Sequence, residues 1–293
     1  MSASSVSTAS PVKKLIARLS AVVAATVAAG VAAATLGMAP ASAATTSNWV
    51  MTGWNVHQLD QLSPAVAKHF FNTPGSYATG PLAATSPVSD GFTTSGVLVY
   101  NSYTQFAADI ANHAIAPSYG WVMYDPEYWS ATPLNEQQNP ALYLQEFGQL
   151  AHANGQLAHA NGLKVIEAPG RDLGLVPGSA CPETPGESLD HWYLRCDVPG
   201  AAAANADLLV VQDQVNTTNP REFDYLYSSA ENQAQAANPQ VVVDAEVSTT
   251  YGTASQMATA AKSAATQGIY INATTNTLSK AKSFLYLMQL AGY

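Results

Sequence analysis

The 293 residues hold 11 Lys and Arg against 20 Asp and Glu, a net charge of −9. So few bases argue against a nucleic-acid or polyanion surface, because neutralising phosphates takes clustered Lys and Arg. Two cysteines, with no zinc-type spacing and no histidine cluster beside them, argue against a thiolate metal centre.

Residues 1–43 read as a signal peptide. Lys13, Lys14 and Arg18 form a basic start, residues 20–38 are small and apolar, and Ala41-Ser42-Ala43 is an A-x-A cleavage signal. Removing it leaves 44–293 as one domain and, with three bases lost and no acids, takes the net charge from −9 to −12. No later run is long and apolar enough to span a bilayer, so the expectation is a secreted, extracellular monomer with no membrane contact after cleavage. In that oxidising setting Cys181 and Cys196 form one disulfide, worth about 3 kcal/mol by loop closure.

Asn48 to Trp54 reads as a first strand, with Asn55 and His57 just beyond it. Residues 72–96, rich in Gly, Pro, Ser and Thr, read as a long loop that can hide a strand. Gly96–Tyr100 is a strand, followed by helical spacing through Tyr103, Phe106, Ile110 and Ala114. Trp121-Val-Met-Tyr-Asp125-Pro-Glu127-Tyr128-Trp129 then begins as a buried strand and ends in two acids and two aromatics. Alternation puts Met123, Asp125 and Glu127 on one face. Charge is rarely placed where a core would continue unless it is paired or used.

Asn139-Pro140 opens the next helix, with Asn as cap and Pro at the first position. Within it Gly148-Gln-Leu-Ala-His-Ala-Asn154 recurs as 155–161, a local duplication that lengthens the helix; His152 and His159 are copies rather than a metal pair. Leu163–Ile166 is a strand ending in Glu167. Residues 171–200 are an excursion carrying both cysteines. Ala206–Val211 ends in Gln212, Asp213 and Gln214, Val241–Val243 in Asp244 and Glu246, and Ile269–Ile271 in Asn272. Helices follow each, the last over roughly 277–290.

Seven visible strands alternating with helices require a parallel sheet covered by helices. About 250 residues suit an α/β fold of the (β/α)8 TIM-like barrel type, irregular in its N-terminal third, with the eighth strand hidden in 56–95. A doubly wound sheet is the alternative, but no glycine-rich phosphate loop follows the first strand.

Barrel chemistry sits at the C-terminal strand ends. Those ends carry Asp125 and Glu127 as catalytic candidates. Trp54, Trp129, Glu167, Gln212, Gln214, Asp244, Glu246 and Asn272 are the binding candidates. Acids and amides hydrogen-bond hydroxyls, aromatic rings pack on sugar faces, and a carboxyl pair handles a glycosidic oxygen, so the expected substrate is a carbohydrate. No cofactor and no metal is expected. There is no G-x-S-x-G, Walker or HExxH motif. A cation on Asp125, Glu127, Glu167 and Glu246, serving a metal-dependent hydrolase, is the oxygen-rich alternative.

The order of strand ends resembles the chitinase-type barrels of glycoside hydrolase family 18. Asp125-Pro126-Glu127 looks like the last D-x-E of that family's DxxDxDxE strand, which implies Glu127 as general acid. Ala168-Pro169, Cys181-Pro182 and Val210-Val211-Gln212 resemble the strands that follow, so the likeness runs over much of 120–275. Met123 stands where the family has an earlier Asp, and Gln214 roughly where it has a Tyr that helps hold the acetamido group. These departures point away from the family's substrate-assisted mechanism, toward another sugar or toward a catalytically silent barrel that binds a carbohydrate or a partner protein.

Overall fold

Short runs of β-branched and aromatic residues, each followed by an amphipathic helical stretch, fold into strand–helix units. In the computed structural model, which describes residues 48–80, 91–153 and 162–293, these units close on themselves. The strands are β1 (Asn48–Thr52), β2 (Ser76–Gly80), β3 (Ser95–Tyr100), β4 (Trp121–Tyr124), β5 (Lys164–Glu167), β6 (Leu208–Val211), β7 (Val242–Ser248) and β8 (Gly268–Asn272). They pair in parallel in that order, and β8 returns to β1 with Asn48 opposite Gly268 and Val50 opposite Tyr270. The fold is a (β/α)8 barrel. Residues 1–43, expected as a signal peptide, and the second heptad copy, 155–161, lie outside the described residues.

The hidden strand is β2. Two helices precede it, α1 (Gly53–Leu62) and α2 (Pro64–Phe71), which bury Val56, Leu59, Val66, Ala67, Phe70 and Phe71. The first strand is shorter than its sequence suggests. Thr52 accepts a hydrogen bond from the Asn55 amide at 3.4 Å and so starts α1, which puts Trp54 in a helical first turn.

Around the barrel follow α3 (Tyr103–Ala111), α4 (Leu134–Gln138), α5 (Pro140–Ala153), α6 (Leu189–Arg195), α7 (Val198–Ala203), α8 (Pro220–Ala237), α9 (Ala254–Ser263) and α10 (Leu278–Leu290). The proline-led starts of α5 and α8 fall where the sequence puts them. The cap chemistry differs, because Asn139 donates its side-chain amide to the Asn135 carbonyl and Asn219 makes no side-chain cap.

Strand alternation sorts the core into two layers. Val50, Tyr77, Val97, Met123, Ile166, Leu208 and Val210 fill the lumen. Their neighbours Met51, Leu98, Val122, Val165, Leu209, Val243 and Ile271 face outward into a larger layer against the helices. Cys181 and Cys196 are bridged, 15 residues apart with Cα atoms 6.1 Å apart, and they tie α6 to the excursion after β5.

Candidate active site

Met123 lies in the lumen, so alternation along β4 carries Asp125 and then Glu127 to the lumen's C-terminal mouth. The backbone there is held from both sides. The Asp125 amide donates to the Tyr100 carbonyl at 2.9 Å, and the Asn101 side chain donates to the Asp125 carbonyl at 2.9 Å. The Glu127 amide and the Trp129 indole N–H both donate to Thr132 Oγ1, at 3.2 and 3.0 Å. Gln137 then donates to the carbonyls of Trp129 and Thr132, each at 2.6 Å. The turn after β4 is thus a fixed platform with both aromatic rings on its outside; Tyr128 and Trp129 are each 44% exposed.

Gln212, at the end of β6, gathers the two acids. Its buried amide nitrogen lies 2.8 Å from Asp125 Oδ1, 3.2 Å from Glu127 Oε1 and 2.8 Å from the Ala168 carbonyl. Two hydrogens face three acceptors, so Glu127 at the longest distance holds the weakest share. Asn272, ending β8, plays the matching part. Its amide donates to Glu246 Oε1 and to Gln214 Oε1, both at 2.8 Å.

The loop after β5 closes the site. Gly170 comes so near that a Cβ there would fall 2.5 Å from Asp172 Oδ1 and 2.9 Å from Glu127 Cγ. That approach brings in Arg171 and Asp172, which the sequence reading passed over inside the long excursion. Asp172 accepts from the Tyr128 amide at 3.1 Å. The buried Arg171 guanidinium is ion-paired with Asp190 on α6. Asn216 donates to Asp190 and to Asp213, at 2.9 and 2.8 Å. The legible signal for these residues was their place directly after a strand end, at Ala168-Pro169-Gly170.

Crowding of acids in a low-dielectric mouth favours their protonated forms. Burial first, then the charges of Glu127, Glu246 and Asp172, pushes the Asp125 carboxyl well above the usual range, against the opposing pull of Gln212. Glu127 is raised by burial and then by Asp172. Burial lifts Glu246 to about 8, with Asn272 opposing and Glu127 adding to the rise. Burial also lifts Asp213 to about 8, against Asn216 and Arg171.

Two expected binding residues are elsewhere. Glu167 points outward with Val165, because Ile166 between them fills the lumen. It is buried beside Tyr124 and Tyr193, and neither carboxyl oxygen has a hydrogen-bond partner. Asp244 does face the lumen, but near its N-terminal floor, level with Gly268 and close to Asn48 and Tyr77. The remaining candidates, Trp54, Trp129, Gln212, Gln214, Glu246 and Asn272, are at the mouth. So is Asn55, which donates to the Ala273 carbonyl at 2.5 Å.

A cavity of about 390 Å³ opens at the floor, lined by Asn48, Tyr77, Trp121, His152, Lys164 and Asp207 among others. It lies at the end where barrels place stability rather than chemistry. Its charged groups are engaged: His152 contacts Asp207 at 3.2 Å and the Lys164 ammonium sits 5.2 Å from the Trp121 ring centre. Among the described residues no group of three or more His, Cys, Asp or Glu side chains is arranged to hold a metal ion.

No family model matches the sequence, and no curated protein matches it. Among solved structures the chain is similar to the crystal structure of the N-terminal domain of a putative aldolase from Bacteroides vulgatus, with a TM-score of 0.43 and 10% identity over 84% of this chain and 88% of that one. At that similarity the likeness says nothing about chemistry.

Proposed function

We propose that this barrel is a glycoside hydrolase acting on a polysaccharide or glycan, with Glu127 as general acid. The observation that carries the reading is the Gln212 amide drawing Asp125 and Glu127 into one spot at the mouth. A carboxyl that must give up a proton near neutral pH needs a raised pKa and access to substrate, and Glu127 has both. Asp125 is set deeper and, held on the same Gln212 amide, orients Glu127. Glu246 is the second carboxylate at the mouth. Glu127 passes its proton to the glycosidic oxygen as the bond to the anomeric carbon breaks. Glu246, once its own proton has left to solvent, takes a proton from water as the water oxygen bonds to that carbon.

A contrast within the same region supports a chemical rather than structural use of these acids. Glu136 on α4 is fully buried and saturated. It accepts from the Ser102, Thr104 and Tyr124 hydroxyls and from the Tyr103 and Thr104 amides, at 2.7 to 3.1 Å. That is what a carboxylate looks like when its task is to hold the fold. Asp125 and Glu127 share one amide.

The test is a polysaccharide panel with wild type and Glu127→Gln. Loss of a general acid lowers turnover by about 10²–10⁴-fold, with the melting temperature little changed. Turnover that survives the substitution removes Glu127 from the mechanism. A chelator arm in the same panel addresses metal-dependent hydrolysis.

A second reading is binding without cleavage. It is favoured by Met123, an apolar lumen residue directly below Asp125 where the chitinase-type strand has a further carboxylate. Tight binding of a glycan with no turnover by wild type would establish it.

A further inference from the structure

The chemistry of the mouth narrows the sugar, on the premise that the mouth is a sugar site. Its side-chain amide and indole donors are occupied. Gln212 faces three acceptors and Asn272 serves two. The indole N–H groups of Trp54 and Trp129 are held by Thr275 and Thr132, at 3.3 and 3.0 Å. The cations at this end are engaged too. Arg171 is paired with Asp190, and Lys280 donates to the Thr249 carbonyl at 3.0 Å.

Acceptors are in excess. Glu127, Asp125, Asp172, Asp213 and Glu246 converge there, and Asp213 Oδ2 is buried with no hydrogen-bond partner. A uronate would meet like charge wherever these carboxyls ionise. An acetamido carbonyl would find the Gln212, Asn272 and indole N–H donors already in use. A protonated amine is the complement, since an ammonium carries three donors and no acceptor.

The rim fits the same ligand. Trp54 after β1, Tyr128 and Trp129 after β4, Leu175 after β5, Val215 after β6 and Tyr251 after β7 are all large, apolar and exposed. They stand on five of the strand-to-helix connections around one opening. Apolar ground of that kind accepts sugar ring faces, and tryptophan faces also attract ammonium groups.

We propose that the mouth takes an aminoglycan with free, protonated amino groups, its rings lying on the aromatic rim and an ammonium seated among the carboxylates. Where the receiving carboxyl is protonated, its proton leaves to solvent as the ammonium–carboxylate pair forms.

The test is calorimetric titration of the wild-type protein with oligomers of glucosamine and galactosamine, their N-acetylated counterparts, a neutral glucose oligomer, an oligogalacturonate and, as a plain polycation, spermine. Each is run at about 20 and about 300 mM NaCl, across which the screening length falls from about 20 Å to about 6 Å. An amine-bearing oligomer is expected to bind about tenfold or more tighter than its N-acetylated counterpart, a difference of about 1.4 kcal/mol. It is expected to weaken in high salt, and to weaken in both Glu246→Gln and Asp213→Asn. Equal or better binding of N-acetylated or neutral oligomers overturns the amine proposal and, if they are cleaved, leaves the hydrolase reading standing. Spermine binding as tightly as the oligomers overturns it as mere charge exchange. Amine oligomers bound but not cleaved sustain it and remove the hydrolase. Binding of none removes both.

Discussion

Asp244 and Glu246 sit two residues apart on β7, face the same lumen, and end in opposite parts of the barrel. Glu246 reaches the mouth, where Asn272 donates to it and Asp125 and Glu127 are its electrostatic neighbours. Asp244 stays near the floor, in space left by the missing side chain of Gly268, with neither oxygen hydrogen-bonded and only the nearby Asn48 side chain offsetting its burial. Residue type and facing are the same, and depth along the strand decides the difference. Substrate reaches the mouth, so an acid there has something to act on. An acid at the floor is a cost the fold carries.

The comparison breaks most visibly if the saturated acid is removed instead. Glu136→Ala strands two backbone amides and three hydroxyls at the start of α3 and beside β4. Each buried group left unsatisfied costs about 1–3 kcal/mol, so a loss of several kcal/mol is expected by denaturant unfolding. A loss below about 1 kcal/mol would show that water replaces the carboxylate freely.

Next in size is Gln212→Ala, which removes the donor shared by Asp125 and Glu127. Turnover should fall by about tenfold, the equivalent of about 1.4 kcal/mol of transition-state stabilisation. Because Gln212 lowers Glu127's affinity for its proton, the alkaline limb of the rate profile, where the general acid ionises, should also move to higher pH. A rate change with no movement of the profile would reduce Gln212 to a packing role.

Smaller and more discriminating is the effect of pH on stability. Glu246 and Asp213 keep their protons in the folded chain to about 8, and Asp244 to about 7, whereas in the unfolded chain they lose them near 4. The folded chain therefore binds more protons across that interval, and stability falls as pH rises from about 4 to about 8. Thermal unfolding at about pH 5 and about pH 8.5 should show the lower melting temperature at the higher pH. Asp244→Asn should remove the part of that fall that ends near pH 7 and leave turnover intact. Glu246→Gln should remove a part reaching to about 8 and alter turnover as well. If the two variants behave alike, floor and mouth are not the distinct environments described.

The same contrast explains what could be read in the sequence. Periodicity gave away seven strands, because Val, Ile and Leu runs alternate with helical spacing whatever the tertiary contacts. The hidden β2, Ser76–Gly80, is short and holds Ala, Thr and Gly, so its apolar signal is weak. Helices α1 and α2 do carry a spacing, Val56 to Leu59 and Val66 to Phe70, but an assumed strand through Trp54 obscured it. Asp125, Glu127, Gln212, Glu246 and Asn272 were legible as strand ends. Glu167 and Asp244 were read as strand ends too, and failed for different reasons. Glu167 is on the outward parity of β5, which only Ile166 in the lumen reveals. Asp244 is at the start of a seven-residue β7 that sequence had shortened to three. Arg171, Asp172 and Asp190 come from an excursion whose fold depends on contacts distant in sequence, such as Gly170 against Glu127.

The cystine between Cys181 and Cys196 is at none of the strand ends, yet the segment it ties down delivers Asp190, the partner of Arg171. A recombinant chain made in a reducing cytosol would keep its barrel and lose purchase on one wall of the mouth. Periplasmic or oxidative production is therefore the sensible source of material for assays, since a sample with free thiols could be well folded by every spectroscopic measure and still report a false negative.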